Sequence, residues 1–237
     1  MNFFKKLFSK PKETEASTED PFKNSPIFKR MMEDMQKERD SFSDKFEKIF
    51  PILKPGRSMN QKIVTSDGIE HDLPYGSLPV IQPLEFDELS IVFGIDQGTH
   101  FEWLQNKHIE VAKDKISIDD LVNKSYQNLI FKLNNKISMT MVNSDIGILN
   151  QCQGFESSLI LYPDTWEIIV PKLNATDIIF GIPTQDVFIF VDSKKIESVK
   201  TLREKVADLY NNPAFQKKIS PSLFIRRESG LIEKYRG

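Results

Sequence analysis

Cysteine is nearly absent from this 237-residue chain, which holds one, Cys152, beside 18 phenylalanines. A lone thiol cannot close an intrachain disulfide or build a thiolate metal cluster, and such sparing use of cysteine fits a reducing compartment. An excess of one charge is missing too. The 32 Lys and Arg against 34 Asp and Glu leave a formal net charge of -2, without the basic surplus that binds phosphate backbones, so general nucleic-acid binding is disfavoured. No apolar run approaches the roughly 20 residues that span a bilayer. The start, MNFFKKLFSKPKETE, has neither a long apolar core nor a small-residue cleavage site. These absences lead to the expectation of a cytoplasmic protein.

Recognisable catalytic signatures are also lacking. There is no GxGxxG after a strand, no P-loop, no HExxH, no GxSxG and no EF-hand loop. Of the three histidines, His100 and His108 are spaced so that their rings need not converge, and neither a metal nor a cofactor is expected. Cys152 reads as a small buried thiol, because no reactivity motif surrounds it.

The 39% of hydrophobic residues is enough to bury a substantial core, in one large domain or two small ones. Residues 1–24 read as a basic amphipathic start followed by a polar linker. Phe3, Phe4, Leu7 and Phe8 lie at helical spacing among Lys5, Lys6, Lys10 and Lys12, a pattern suited to weak peripheral contact with an anionic inner membrane face, to a partner, or to docking on the protein's own core. Ser25-Pro26 suits an N-cap and first helical position. From there Phe28, Met35, Phe42 and Ile49 recur every seven residues, widened by Met31, Met32 and Phe46. The spacing predicts a long amphipathic helix over 25–51, closed by Pro51, whose apolar face packs on the following domain or on a partner.

An α+β domain is expected over 52–237. Residues 52–86, rich in Pro and Gly, read as irregular chain around one short strand near 62–65. Alternating residues predict a hairpin of 89–95 with 101–104, turned by Asp96-Gln97-Gly98-Thr99. Ser117-Ile118-Asp119-Asp120 opens a helix to about Leu133 with a capping-box pattern, its buried stripe expected to be Ile118, Leu121, Val122, Leu129, Ile130 and Leu133, with Tyr126 and Asn128 off the stripe's centre. Further strands are expected at 136–142 and 146–149, a short helix from Pro163 to about Pro171, and two strands in IIFGIPTQDVFIFVD. Ile196–Tyr210 is the last helix, presenting Val199, Leu202, Val206 and Leu209 on one face. Apolar side chains on both faces of Ile178–Ile182 and Val187–Val191 predict central strands joined by a wide loop. The tail, with Lys217, Lys218, Arg226, Arg227, Lys234 and Arg236, reads as a solvated basic surface. The fold class is α+β, a mainly antiparallel sheet covered by helices on one side, with the long N-terminal helix added.

Two carboxylates stand where an apolar strand meets a turn, Asp96 and Asp186. Close together they could bind a cation or share acid and base work; apart, each is an ordinary turn residue. The order of LSIVFGID, IDDLVNKSYQNL, LILYPDTWEII and IIFGIPTQDVFIFVD resembles the YtpQ-like family of uncharacterised bacterial proteins. The resemblance covers roughly Leu84 to Phe224. It rests on Asp96, Asn128-Leu129, Pro163 with Trp166, and Pro183 with Asp186, while Tyr162 departs from the aliphatic residue expected before the proline. It implies an architecture and a bacterial cytoplasmic setting, and no reaction. It marks Asp96, Asn128, Pro183 and Asp186 as a candidate ligand or partner site. The functional expectation is a non-enzymatic protein-binding module. The alternatives are a small-molecule-binding or hydrolytic enzyme using Asp96 and Asp186, and a peripheral membrane adaptor working through the N-terminal segment.

Overall fold

The computed structural model describes residues 44–56, 62–64, 70–86, 89–111, 116–133 and 137–237, all within the unit Arg39–Gly237. It is α+β, and every strand pair in its sheets is antiparallel.

The first sheet is built around β5 (Leu89–Asp96). β1 (Ile49–Pro55) lies along one edge, with Ile52 opposite Val92. β4 (Ile81–Pro83) and β6 (Phe101–Trp103) follow one another along the other edge. A separate ribbon pairs β2 (Lys62–Val64) with β3 (Glu70–Asp72). The expected hairpin is present. Gly98 takes the left-handed conformation at φ 84, and its N–H donates to Asp96 Oδ1 at 2.8 Å, so the acid closes its own turn.

The expected helix over 25–51 needs correction at its end, while residues 25–43 lie outside the described residues. Ile49, Phe50 and Pro51 belong to β1, and Ile49 through Leu53 are all buried. The seven-residue spacing that reached Ile49 ran on into a continuous apolar run, IFPIL, which suits a strand covered on both faces. Pro51 is tolerated because β1 is an end strand, where a missing N–H breaks no second ladder. In the stretch 52–86 the expected short strand near 62–65 is present as β2, and the chain read as irregular around it also contributes most of β1, β3 and β4.

Helix α1 (Asn106–Val111) leads to α2 (Ile118–Leu133), whose capping box forms as expected. Asp120 N donates to Ser117 Oγ at 3.1 Å, and Ser117 N to Asp120 Oδ2 at 2.9 Å. Its buried face is Leu121, Ser125, Tyr126, Leu129 and Leu133. Tyr126, expected off the stripe's centre, is inside because its hydroxyl donates to Ser158 O at 2.8 Å.

The second sheet has the order β12-β11-β9-β10-β8-β7, formed by β7 (Ser138–Met141), β8 (Ile146–Asn150), β9 (Ile178–Gly181), β10 (Phe188–Asp192), β11 (Leu223–Arg226) and β12 (Ile232–Lys234). β9 and β10 are central, as their two apolar faces require. One face, with Ile179, Ile189, Val191 and Ile225, is covered by Val199, Leu202 and Val206 of α4 (Ile196–Asn211). The other carries an aromatic row: Phe224, Phe180, Phe188 and Phe190 stand 5.4–5.6 Å apart in succession. Trp166 of α3 (Pro163–Leu173) lies 5.3 Å from Phe180. Helices thus meet both faces of this sheet, not one.

Part of the expected basic surface is structural as well. FIRRESGLIEK folds as the β11–β12 hairpin and buries Phe224 in the aromatic row. Arg227 pairs with Asp177 and Glu233, and Arg226 lies over the Trp166 ring at 5.3 Å. A buried 3-10 segment, Glu156–Leu161, ties the two sheets together. Leu53 N of the first sheet donates to Ser158 Oγ at 3.1 Å, and Ser157 N donates to Gln185 O of the β9–β10 loop at 3.1 Å, while Glu156 Oε2 and Ser157 Oγ are buried without a hydrogen-bond partner among the described residues.

Candidate functional site

Asp186 belongs to its own turn. Val187 N reaches back to Thr184 O at 3.3 Å, and the Thr184 hydroxyl donates to Asp186 Oδ1 at 2.7 Å. The residues before it are buried and tied to the chain at 217–220: Gln185 N donates to Lys217 O, and Ile219 N to Pro183 O, both at 2.9 Å. Pro183 ends the strand without leaving an unmet donor, and the wide loop survives burial because neighbouring chain completes its ladder.

Asp96 is committed to a lysine. Its Oδ2 accepts from Lys132 Nζ at 2.5 Å while Oδ1 takes Gly98 N–H. Those two hydrogen bonds hold its carboxyl below the usual carboxylate range. A general acid at neutral pH needs the opposite shift. Asp96 lines a cleft to which the 182–187 loop contributes Gln185, not Asp186. Asn128 has a structural task, because its Nδ2 donates to Phe46 O at 3.2 Å and Ile49 O at 3.0 Å, anchoring the start of β1 to α2. The four residues marked by the motif order are therefore each engaged in shaping loops and strand ends. Phe3, Phe4, Leu7 and Phe8 lie outside the described residues.

Cys152 is buried as expected, and burial together with the nearby Glu156 carboxyl pushes its thiol up to about 12, far from a reactive thiolate. Glu156 is itself raised by burial, and one of its oxygens accepts Cys152 N–H at 3.0 Å. Among the described residues, no group of three or more acidic, His or Cys side chains could hold a metal ion. No helix of the described residues is long and apolar enough to cross a membrane.

What sequence reasoning missed is a groove of about 770 Å³ beside α2, lined by Val122, Tyr126, Ile130 and Phe131 and closed by Leu161, Tyr162 and Pro163. The Tyr126 and Tyr162 rings stack across its floor, with centroids 6.1 Å apart and planes within 8°. Tyr162 is pushed up to about 12 by burial and by the Asp164 carboxylate to which it donates. Phe131, on the rim, is 88% exposed. The signal in the sequence was that α2 carries more apolar residues than one buried stripe can use. Val122 and Ile130, expected in the core, are only partly buried and face the groove.

A comparison with protein-family models, one with curated proteins and one with solved structures return no match. The likeness to the YtpQ-like family therefore rests on the order of short motifs.

Proposed function

We propose that this chain is a non-enzymatic binding module that takes an apolar segment of another protein in the groove between α2 and the start of α3. The observation that carries the reading is Phe131, a large apolar side chain at 88% exposure on the rim of an apolar hollow. Burying such a ring contributes about 2–3 kcal/mol, or a factor of roughly 30–150 in affinity. Residues 122 to 131 run along about 14 Å of helix axis. That length accommodates two apolar anchors of a partner helix one or two turns apart.

The alternative of a hydrolytic enzyme using Asp96 and Asp186 has Asp96 held below the usual carboxylate range and Asp186 outside the cleft that Asp96 lines. Peripheral attachment through Phe3, Phe4, Leu7 and Phe8 rests on their spacing, as does an added N-terminal helix, and liposome flotation of full and truncated chains tests it. The single unreactive thiol supports a cytoplasmic setting.

The test is photo-crosslinking. With benzoylphenylalanine in place of Phe131 in the full chain, irradiation should give an adduct of one discrete mass. Asn123→Trp, at an exposed position lining the groove, should suppress it. The same probe at the exposed Ile196 of α4 should give none. Equal adducts from both positions, or none from Phe131, would refute the proposal.

A further inference from the structure

A second hollow, of about 530 Å³, lies where β1, β5 and β6 of the first sheet face loops of the second. Its charge is unbalanced. Lys54 enters from β1, half-buried, with its ammonium 5.5 Å from the centre of the Trp103 ring. Lys217 enters from the loop before β11, where its carbonyl accepts the Gln185 N–H. Neither lysine makes an ion pair among the described residues. Among the described residues the one carboxylate on the wall, Asp96, is already neutralised by Lys132. Two positive charges are thus left facing the same space in a chain whose formal net charge is -2. Burial and the Lys217 charge both lower the Lys54 pKa, the response of an ammonium that lacks an anion.

The geometry points to a binding site for a small phosphate monoester, with its phosphate between Lys54 and Lys217 and its organic body against the apolar wall of Phe155 and Trp103. A phosphate monoester is close to a dianion at neutral pH and so answers both charges at once. Lysine suits it as a point charge, and the Gln153 side chain on the same wall offers an amide donor to the remaining oxygens. The volume is in the range of small-ligand sites. This site is separate from the apolar groove, and its assignment is independent of the protein-binding reading.

Calorimetric titration of the full chain with phenyl phosphate tests it. Saturable one-site binding is expected, weakened at least tenfold by Lys54→Gln and by Lys217→Gln. Lys200→Gln, at a surface lysine already paired with Glu197, should leave it unchanged. Inorganic phosphate binding as tightly as phenyl phosphate would overturn the role of the apolar wall, and benzoate binding as tightly would overturn the preference for a dianion. Absence of saturable binding would overturn the site itself. Melting without ligand is the check on folding. Both variants should melt no lower than the wild type, since each removes a repelling charge, and a clear drop in either would assign the lysines to the fold instead.

Discussion

Gly181 closes the central strand β9 directly beneath α4, and replacing it with alanine should destabilise the protein through one contact. A methyl at this position would lie 2.2 Å from Val206 Cγ2, with Leu223 Cδ2 at 3.4 Å. Carbon atoms settle at about 3.5–4 Å, so more than an ångström must be found. Val206 cannot readily yield it. It is fully buried and β-branched on a helix, where one rotamer dominates. The Gly181 backbone is not in the left-handed region, so alanine's reduced unfolded-state entropy favours folding by about 0.4–1 kcal/mol, against an overpacking cost of about 1–3 kcal/mol. The expected net loss is about 1–2 kcal/mol, which lowers the melting temperature by roughly 2–8 °C in a chain of this size. Chemical denaturation of Gly181→Ala, Val206→Ala and the double variant isolates the cause. Val206→Ala alone should cost about 2 kcal/mol from lost methyl burial. The double variant should be more stable than the sum of the singles predicts by about 1 kcal/mol. Additivity within 0.5 kcal/mol would refute the contact as the cause.

Two further outcomes are expected, besides those of the crosslinking and titration experiments. Asn128→Ala should cost about 1–2 kcal/mol in urea midpoints, because two carbonyls at the start of β1 lose their donor. A change below 0.3 kcal/mol would return Asn128 to the list of ligand residues. His108 is held down to about 4 from 6.5 by burial first and then by Lys45 and Lys107, and its Nδ1 accepts the Gln105 N–H at 3.1 Å. The unfolded chain therefore binds the extra proton between those two values. Stability from this group is complete above pH 6.5 and is lost as pH falls toward 4, by roughly 1 kcal/mol after discounting for a half-exposed ring. His108→Gln should flatten the denaturation midpoint over that window. An unchanged slope would refute the assignment.

Local signals were legible where one residue's chemistry sufficed. Ser117 with Asp120 predicted the start of α2, Gly98 the β5–β6 turn, and the two apolar faces of β9 and β10 their central position. Periodicity failed at Ile49, because a seven-residue spacing continues by chance into a strand that is apolar at every position. In FIRRESGLIEK the adjacent Arg226 and Arg227 are surface residues as read, but their engagement with Asp177, Glu233 and the Trp166 face was not legible from their charge. For the candidate sites the difference was larger. Asp96 could be read as a strand-end carboxylate, but Lys132 lies 36 positions away, and no local pattern tells that it takes the charge.

The sequence by itself determined the α+β class, the helices α2 and α4 and the hairpin turn, because these depend on spacing and composition within a few residues. Only the tertiary structure decided that Asp186 bonds back to its turn, that Val122 and Ile130 face a groove, and that Lys54 and Lys217 share a cleft without an acid. Each of those facts depends on which distant group arrives beside a side chain, and burial and charge balance are set by that arrival.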